Sequence, residues 1–144
     1  QYDLISTREY GEMYVSTSTI ETSSTSWSDI TASTWSIGAA SGFTQSDNTL
    51  TSTNGGTFLL NATISSTSSI ANNTYFIGAS SNNADPSVKM TTKRKYSSTD
   101  VGVSSISGII TLTAGQTIEL KHKLDTGGSG NLTVVYSNVS LTEL

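Results

Sequence analysis

The chain has 144 residues, no cysteine, and a formal net charge of −4, with only 12% of its residues charged. Disulfides and thiolate metal sites are thereby excluded, and the acidic balance argues against nucleic acid as the main partner. Ser and Thr make up roughly a third of the sequence, well above ordinary usage, yet β-branched and aromatic residues recur throughout at a spacing that disordered chains lack.

At this length one domain removes roughly 70% of the unfolded chain's surface from water, enough for a core without staples. No window reaches the apolar length needed to span a bilayer, and the start, QYDLISTREYG, lacks the basic opening and apolar centre of a signal peptide. Membrane insertion is not expected.

Residues 1–10 read as an extended N-terminal arm, and residues 11–144 as one β domain that the arm leads into through Met13, Tyr14 and Val15. Arg8, Glu9 and Glu12 beside these aromatics suit a solvated strand edge or an intersubunit ion pair. Ser16–Gly42 is the richest in hydroxyls and is broken by Ile20, Trp27, Ile30, Trp35 and Ile37. Trp27 and Trp35 bury too much apolar area to be exposed by accident: they either lid one end of a sandwich or anchor a partner or glycan.

Thr53-Asn-Gly-Gly56 is a turn, because Asn and Gly tolerate positive φ. In Thr57–Ser65, Phe58, Leu60, Ala62 and Ile64 alternate with Thr57, Leu59, Asn61 and Thr63, the period of an inward-outward strand. Another strand passes through Tyr75, Phe76 and Ile77, and Asn82–Pro86 turns the chain again. Ser87–Tyr96 reads as a strand with Val88, Met90, Thr92, Arg94 and Tyr96 on one face and Lys89, Thr91, Lys93 and Lys95 on the other. With Lys121 and Lys123 these basic residues form either a solvated face or a patch for an acidic surface.

Gly108–Leu124, GIITLTAGQTIELKHKL, predicts a hairpin turning at Ala114–Gly115. Ile118, Leu120, His122 and Leu124 then share one face, and Thr117, Glu119, Lys121 and Lys123 the other. In the last run, Asn131–Leu144, Leu132, Val134 and Tyr136 lie on one side and Val135, Val139 and Leu141 on the other, so both faces carry apolar groups and a second cover is expected. About eight to ten short strands without helical periodicity define the class: all-β, an antiparallel β-sandwich or jelly roll.

Convergent titratable groups are scarce. His122 is the only histidine, lies between two lysines in the apolar phase of its strand, and reads as a structural residue rather than a catalytic one. Asp47 with Asn48, and Asn82 and Asn83 with Asp85, lack the ordered acidic loop of a dedicated calcium site. No phosphate loop, dinucleotide glycine pattern or zinc motif occurs. No catalytic residue, metal or cofactor is therefore assigned. Sequons begin at Asn61, Asn72, Asn131 and Asn138, two of them within predicted strands.

Tyr10-Gly-Glu-Met13, the strand entry Gly56-Thr-Phe-Leu-Leu60, the stretch Leu112-Thr-Ala-Gly-Gln-Thr-Ile-Glu-Leu120 and the closing Leu132–Leu141 follow in an order that resembles the compact jelly roll of tumour necrosis factor and complement-type heads. More particularly they resemble the version carried by tailed-phage virion proteins. The resemblance implies a homotrimer with one sheet of each subunit facing the threefold axis, and Leu132, Val134, Tyr136 and Val139 as its interface. It implies a non-enzymatic decoration, or cement, protein on the capsid exterior, with the major capsid protein as partner and Gln1, Tyr2, Leu4, Ile5 and Arg8 as the arm that touches the shell. The alternatives are a receptor-binding fibre tip or a carbohydrate-binding module, in which Trp27, Trp35 or Tyr75 meets a host-surface glycan.

Overall fold

The computed structural model describes residues 8–15, 17–31, 35–97, 100–126 and 129–144. Among them the chain forms β1 (Tyr10–Val15), β2 (Thr19–Ser23), β3 (Ser28–Asp29), β4 (Trp35–Ser41), β5 (Phe43–Ser46), β6 (Thr49–Ser52), β7 (Gly55–Ser68), β8 (Thr74–Ser81), β9 (Thr91–Lys95), β10 (Gly102–Thr113), β11 (Thr117–Leu124) and β12 (Gly130–Glu143). All pairings are antiparallel, in two six-stranded sheets that pack as a sandwich.

The first sheet runs β10-β7-β12-β1-β4, with β2 also beside β12; the second runs β5-β6-β11-β8-β9, with β3 also beside β11. Each sheet is built on a strand that takes two short partners end to end. β12 pairs β2 through Gly130–Val134 and β1 through Ser137–Thr142, and β11 pairs β6 through Thr117–Ile118 and β3 through Lys121–His122.

The core fills the space between. Phe58, Leu60, Ala62 and Ile64 of β7 are buried as their alternation requires, and they meet Tyr75, Ile77 and Ala79 of β8 and Ile118, Leu120 and Leu124 of β11 in one cluster. Phe43 packs edge-on to Phe58 with ring centroids 5.1 Å apart, and Tyr75 does the same with Tyr96 at 5.6 Å.

Three expectations are corrected by the pairing. Gly108–Leu124 is not a hairpin: β10 pairs β7 in the first sheet, whereas β11 pairs β8, β6 and β3 in the second. Thr113–Gln116 is thus a corner between sheets. It packs on a second corner, Ser52–Gly55, through Gly115 N–H to Ser52 O at 2.7 Å and Ser52 N–H to Gln116 O at 2.9 Å. Alternation reports which way a side chain points and says nothing about which strand lies beside it.

In β12 a register shift between Val134 and Tyr136 marks a bulge at Val135, and one extra residue reverses the phase. Leu132, Val134, Val139 and Leu141 consequently all point inward and are fully buried. Of the four residues expected at a subunit interface, Leu132, Val134 and Val139 belong to the domain's own core, and Tyr136 alone faces outward, 61% exposed. Similarly, Ser87–Tyr96 is not one strand. A single 3-10 turn at Val88–Met90 precedes β9, burying Met90 and leaving Val88 92% exposed.

Candidate functional site

The outward face of the second sheet is crossed by two strand registers of different character. In one, Lys121 of β11 and Thr91 of β9 flank Gly78 of β8. Gly78 is required there because Pro86 lies over it: a Cβ would meet the Pro86 ring at 2.4 Å. The loop Asn82–Pro86 is held on the sheet by Asn82 N–H to Thr117 O, 2.9 Å, with Asn82 and Asn83 both at positive φ.

Beneath that loop β11 is covered on its outer face as well as its inner one. Lys121 Nζ reaches Asp29 Oδ1 at 2.9 Å and donates to Asn83 Oδ1 at 2.8 Å. Glu119, 2% exposed, accepts from Thr117 Oγ1, and burial pushes its carboxyl above the usual range. The lysine, placed among these oxygens, serves as the resident cation of this layer.

The next register is left open. Lys123 of β11 and Lys93 of β9 lie directly to either side of Phe76 of β8. Both ammoniums rest on its ring, at 5.1 Å and 5.0 Å from the centroid. Trp27, in the connection from β2 to β3, leans in from one side: its ring is 6.4 Å from Phe76 at an interplanar angle of 61°, and Lys123 Nζ lies 5.0 Å above it. Pro86 and Val88 wall the other side. Together with Thr91 and Thr92 these residues enclose a cradle of about 270 Å³. Lys93 also pairs with Asp125 at 2.8 Å.

Trp27 is the partition between this cradle and a hollow of about 590 Å³ bordered by Ile20, Glu21, Asp29, Lys121 and His122. His122 itself is 1% exposed. Its Nδ1 lies 2.8 Å from Ser23 Oγ, the Asp29 backbone engages the ring as well, and burial lowers its pKa to about 4. Ser23 is buried behind the hollow's lining. The imidazole is thus a neutral internal strut.

The sequence-derived candidates separate. Trp35 is 6% exposed, with Nε1–H donating to Ile30 O at 3.0 Å, so it closes the core and offers no surface to a partner. Trp27 stands at the surface beside Phe76. The basic cluster divides too. Arg94 donates to Val103 O and caps Tyr96, Lys89 donates to Ile109 O, Lys121 is internal, and Lys93 and Lys123 serve the cradle. Arg8 is exposed; Gln1, Tyr2, Leu4 and Ile5 lie outside the described residues. Phe76 was missed as a site residue, although an apolar side chain in the outward phase between Tyr75 and Ile77 was its signal.

A third surface is the outward face of the first sheet. Tyr10 and Tyr14 of β1, Tyr136 of β12, Val103 and Ile109 of β10 and Ile20 of β2 are exposed along it. Between them run hydroxyl and amide side chains, Ser140, Asn61 and Ser107 forming one cross-strand row. Glu12 is turned into this sheet's own polar network, accepting from Asn138 Nδ2 and from the Ala39 amide.

Neither a family model nor a curated protein matches this sequence. Solved structures do. The chain is similar over 95% of its length to the Eiger TNF of S. frugiperda, 92% of which is covered, with a TM-score of 0.65 and 13% identity. It is similar over 96% to the globular domain of zebrafish complement 1qA, covering 97% of that chain, with a TM-score of 0.62 and 14% identity. It is similar over 94% to the PRD1 vertex protein P5, a phage protein, covering 96% of that chain, with a TM-score of 0.60 and 15% identity. At these identities what is shared is the fold: a TNF-like jelly roll.

Proposed function

We propose that this chain is a non-enzymatic virion protein of a phage, a jelly roll that trimerises on the outer capsid surface and stabilises the shell as a decoration protein. The observation that carries this reading is the outward face of the first sheet. It presents Tyr10, Tyr14, Tyr136, Val103 and Ile109 without an exposed Lys or Arg on its β1, β7, β10 and β12 strands. Large apolar groups rimmed by uncharged polar ones form the composition of a self-association surface. The fold shared with a phage vertex protein supports a virion setting.

The N-terminal arm would reach the major capsid protein from a fixed point of departure. Glu9 is tied into the domain by its N–H to Glu143 Oε2 at 2.8 Å and by Glu143 N–H to Glu9 O at 2.9 Å. Three arms on one trimer would gain affinity from multivalency rather than from any one strong contact. Two variants test the reading by light scattering and by co-sedimentation with undecorated heads. Tyr136→Asp should give a folded monomer, and deletion of residues 1–8 should leave the trimer intact while abolishing attachment to heads. A monomeric wild type, or undiminished attachment after the deletion, rejects it.

A receptor-binding fibre tip or carbohydrate-binding module is the second reading. The surface position of Trp27 beside Phe76 favours it.

A further inference from the structure

We propose that the cradle of Trp27, Phe76, Lys93 and Lys123 binds a single carboxylate-bearing sugar, the terminal residue of an acidic glycan. This names a ligand class for the second reading above, and it holds whether or not the domain decorates a capsid.

Charge is the first argument. The cradle gathers two ammoniums on one phenylalanine ring, and among the described residues the carboxylate of Asp125 forms its salt bridge with the Lys93 ammonium. Lys123 rests on the faces of Trp27 and Phe76; a π face holds a cation but accepts none of its N–H bonds in the way a carboxylate oxygen does. A carboxylate entering over Phe76 would supply an N–H acceptor to Lys123, with the Lys93 ammonium on the ring's other flank adding to the positive charge it meets.

The second argument is the apolar surface left uncovered. Val88 is 92% exposed and lines the cradle with Pro86 and Trp27, so hydrocarbon surrounds the Phe76 ring there. The C–H faces of a pyranose would cover that surface, with Thr91 and Thr92 lining the cradle beside it.

Shape selects the sugar over an acidic peptide. Trp27 on one side and Pro86–Val88 on the other flank the cradle, and a volume of about 270 Å³ matches one ring rather than a chain. An extended peptide would need a sheet edge or a long groove. Phe76 lies in the middle of its sheet, and β8 is paired on both sides, to β9 and β11.

The test is titration of the full chain with N-acetylneuraminic acid and glucuronic acid, followed by tryptophan fluorescence and by amide chemical shifts. Glucose, N-acetylglucosamine and a hexaglutamate peptide run alongside. The sugar acids should saturate with Kd on the order of 1 mM, the range of a weak single site, and shift the amides of Phe76, Lys93 and Lys123. Lys93→Gln and Lys123→Gln, which leave the core untouched, should each weaken binding about tenfold, a loss of one charge-assisted contact. Equal affinity for glucose would overturn charge recognition, equal affinity for hexaglutamate would replace the sugar with an acidic peptide, and undiminished binding by both variants would place the ligand elsewhere. Saturation by none of the probes would remove the ligand reading of the Trp27 surface along with the proposal.

Discussion

Ser23 Oγ and His122 Nδ1 lie 2.8 Å apart in the interior, joining β2 of the first sheet to β11 of the second. The bond crosses a core that is otherwise mostly apolar, and burial in that core keeps the only histidine of the chain neutral.

That neutrality makes stability depend on pH with a definite sign. Above about pH 6.5 both folded and unfolded states hold His122 uncharged. Between 6.5 and about 4 the unfolded chain takes up the proton first, so stability falls as pH falls, and below about 4 the loss is complete. The interval corresponds to roughly 3 kcal/mol. Glu119 acts in the opposite direction, since a folded-state carboxyl raised by burial is protonated before the unfolded one and returns stability in acid. Urea unfolding across this range should show a decline that is absent in His122→Gln; the same slope in both proteins would disprove the assignment.

The two corners between the sheets distinguish two glycines that share a conformation. Gly115 has φ +86° with nothing within 4 Å of where a Cβ would stand, whereas at Gly55, φ +76°, a Cβ would meet Leu112 O at 2.8 Å and Ala114 N at 2.9 Å. Gly115→Ala should cost only the left-handed penalty, about 1 kcal/mol. Gly55→Ala adds collision with backbone that cannot rotate away, and should cost about 3 kcal/mol. Denaturant midpoints measured on both variants check the order, which would be equal if the corners did not pack on each other.

The tryptophans give a third expectation. Trp35→Ala removes a buried indole and leaves Ile30 O without its donor, and should destabilise by roughly 3–5 kcal/mol. Trp27→Ala, at the surface, should cost less than about 1 kcal/mol. Emission of the Trp27→Ala variant should be blue-shifted relative to that of Trp35→Phe, because the remaining indole is buried in the first and partly solvated in the second.

Much of the fold was legible because side-chain period is a local property. The β7 alternation from Phe58 to Ile64 held residue by residue, and the inward phase of Ile118, Leu120, His122 and Leu124 held as well. The candidate site was half legible. Trp27 stood out by size, and Lys93 and Lys123 by their place in basic clusters, but nothing local links residues so far apart to one ring.

The sequence by itself determined the class, through strand-length runs of period two and turns that Gly, Asn and Asp favour, since both are set by the covalent chain and its immediate neighbours. Tertiary structure decided three things. It placed β10 and β11 in different sheets, because pairing is a contest among all strands for backbone partners. It turned Val139 and Leu141 inward through one extra residue at Val135, a bulge that costs the ladder little and reverses every side chain after it. And it set Lys123, Phe76 and Lys93 side by side, a juxtaposition fixed by strand register rather than by any residue's own preference.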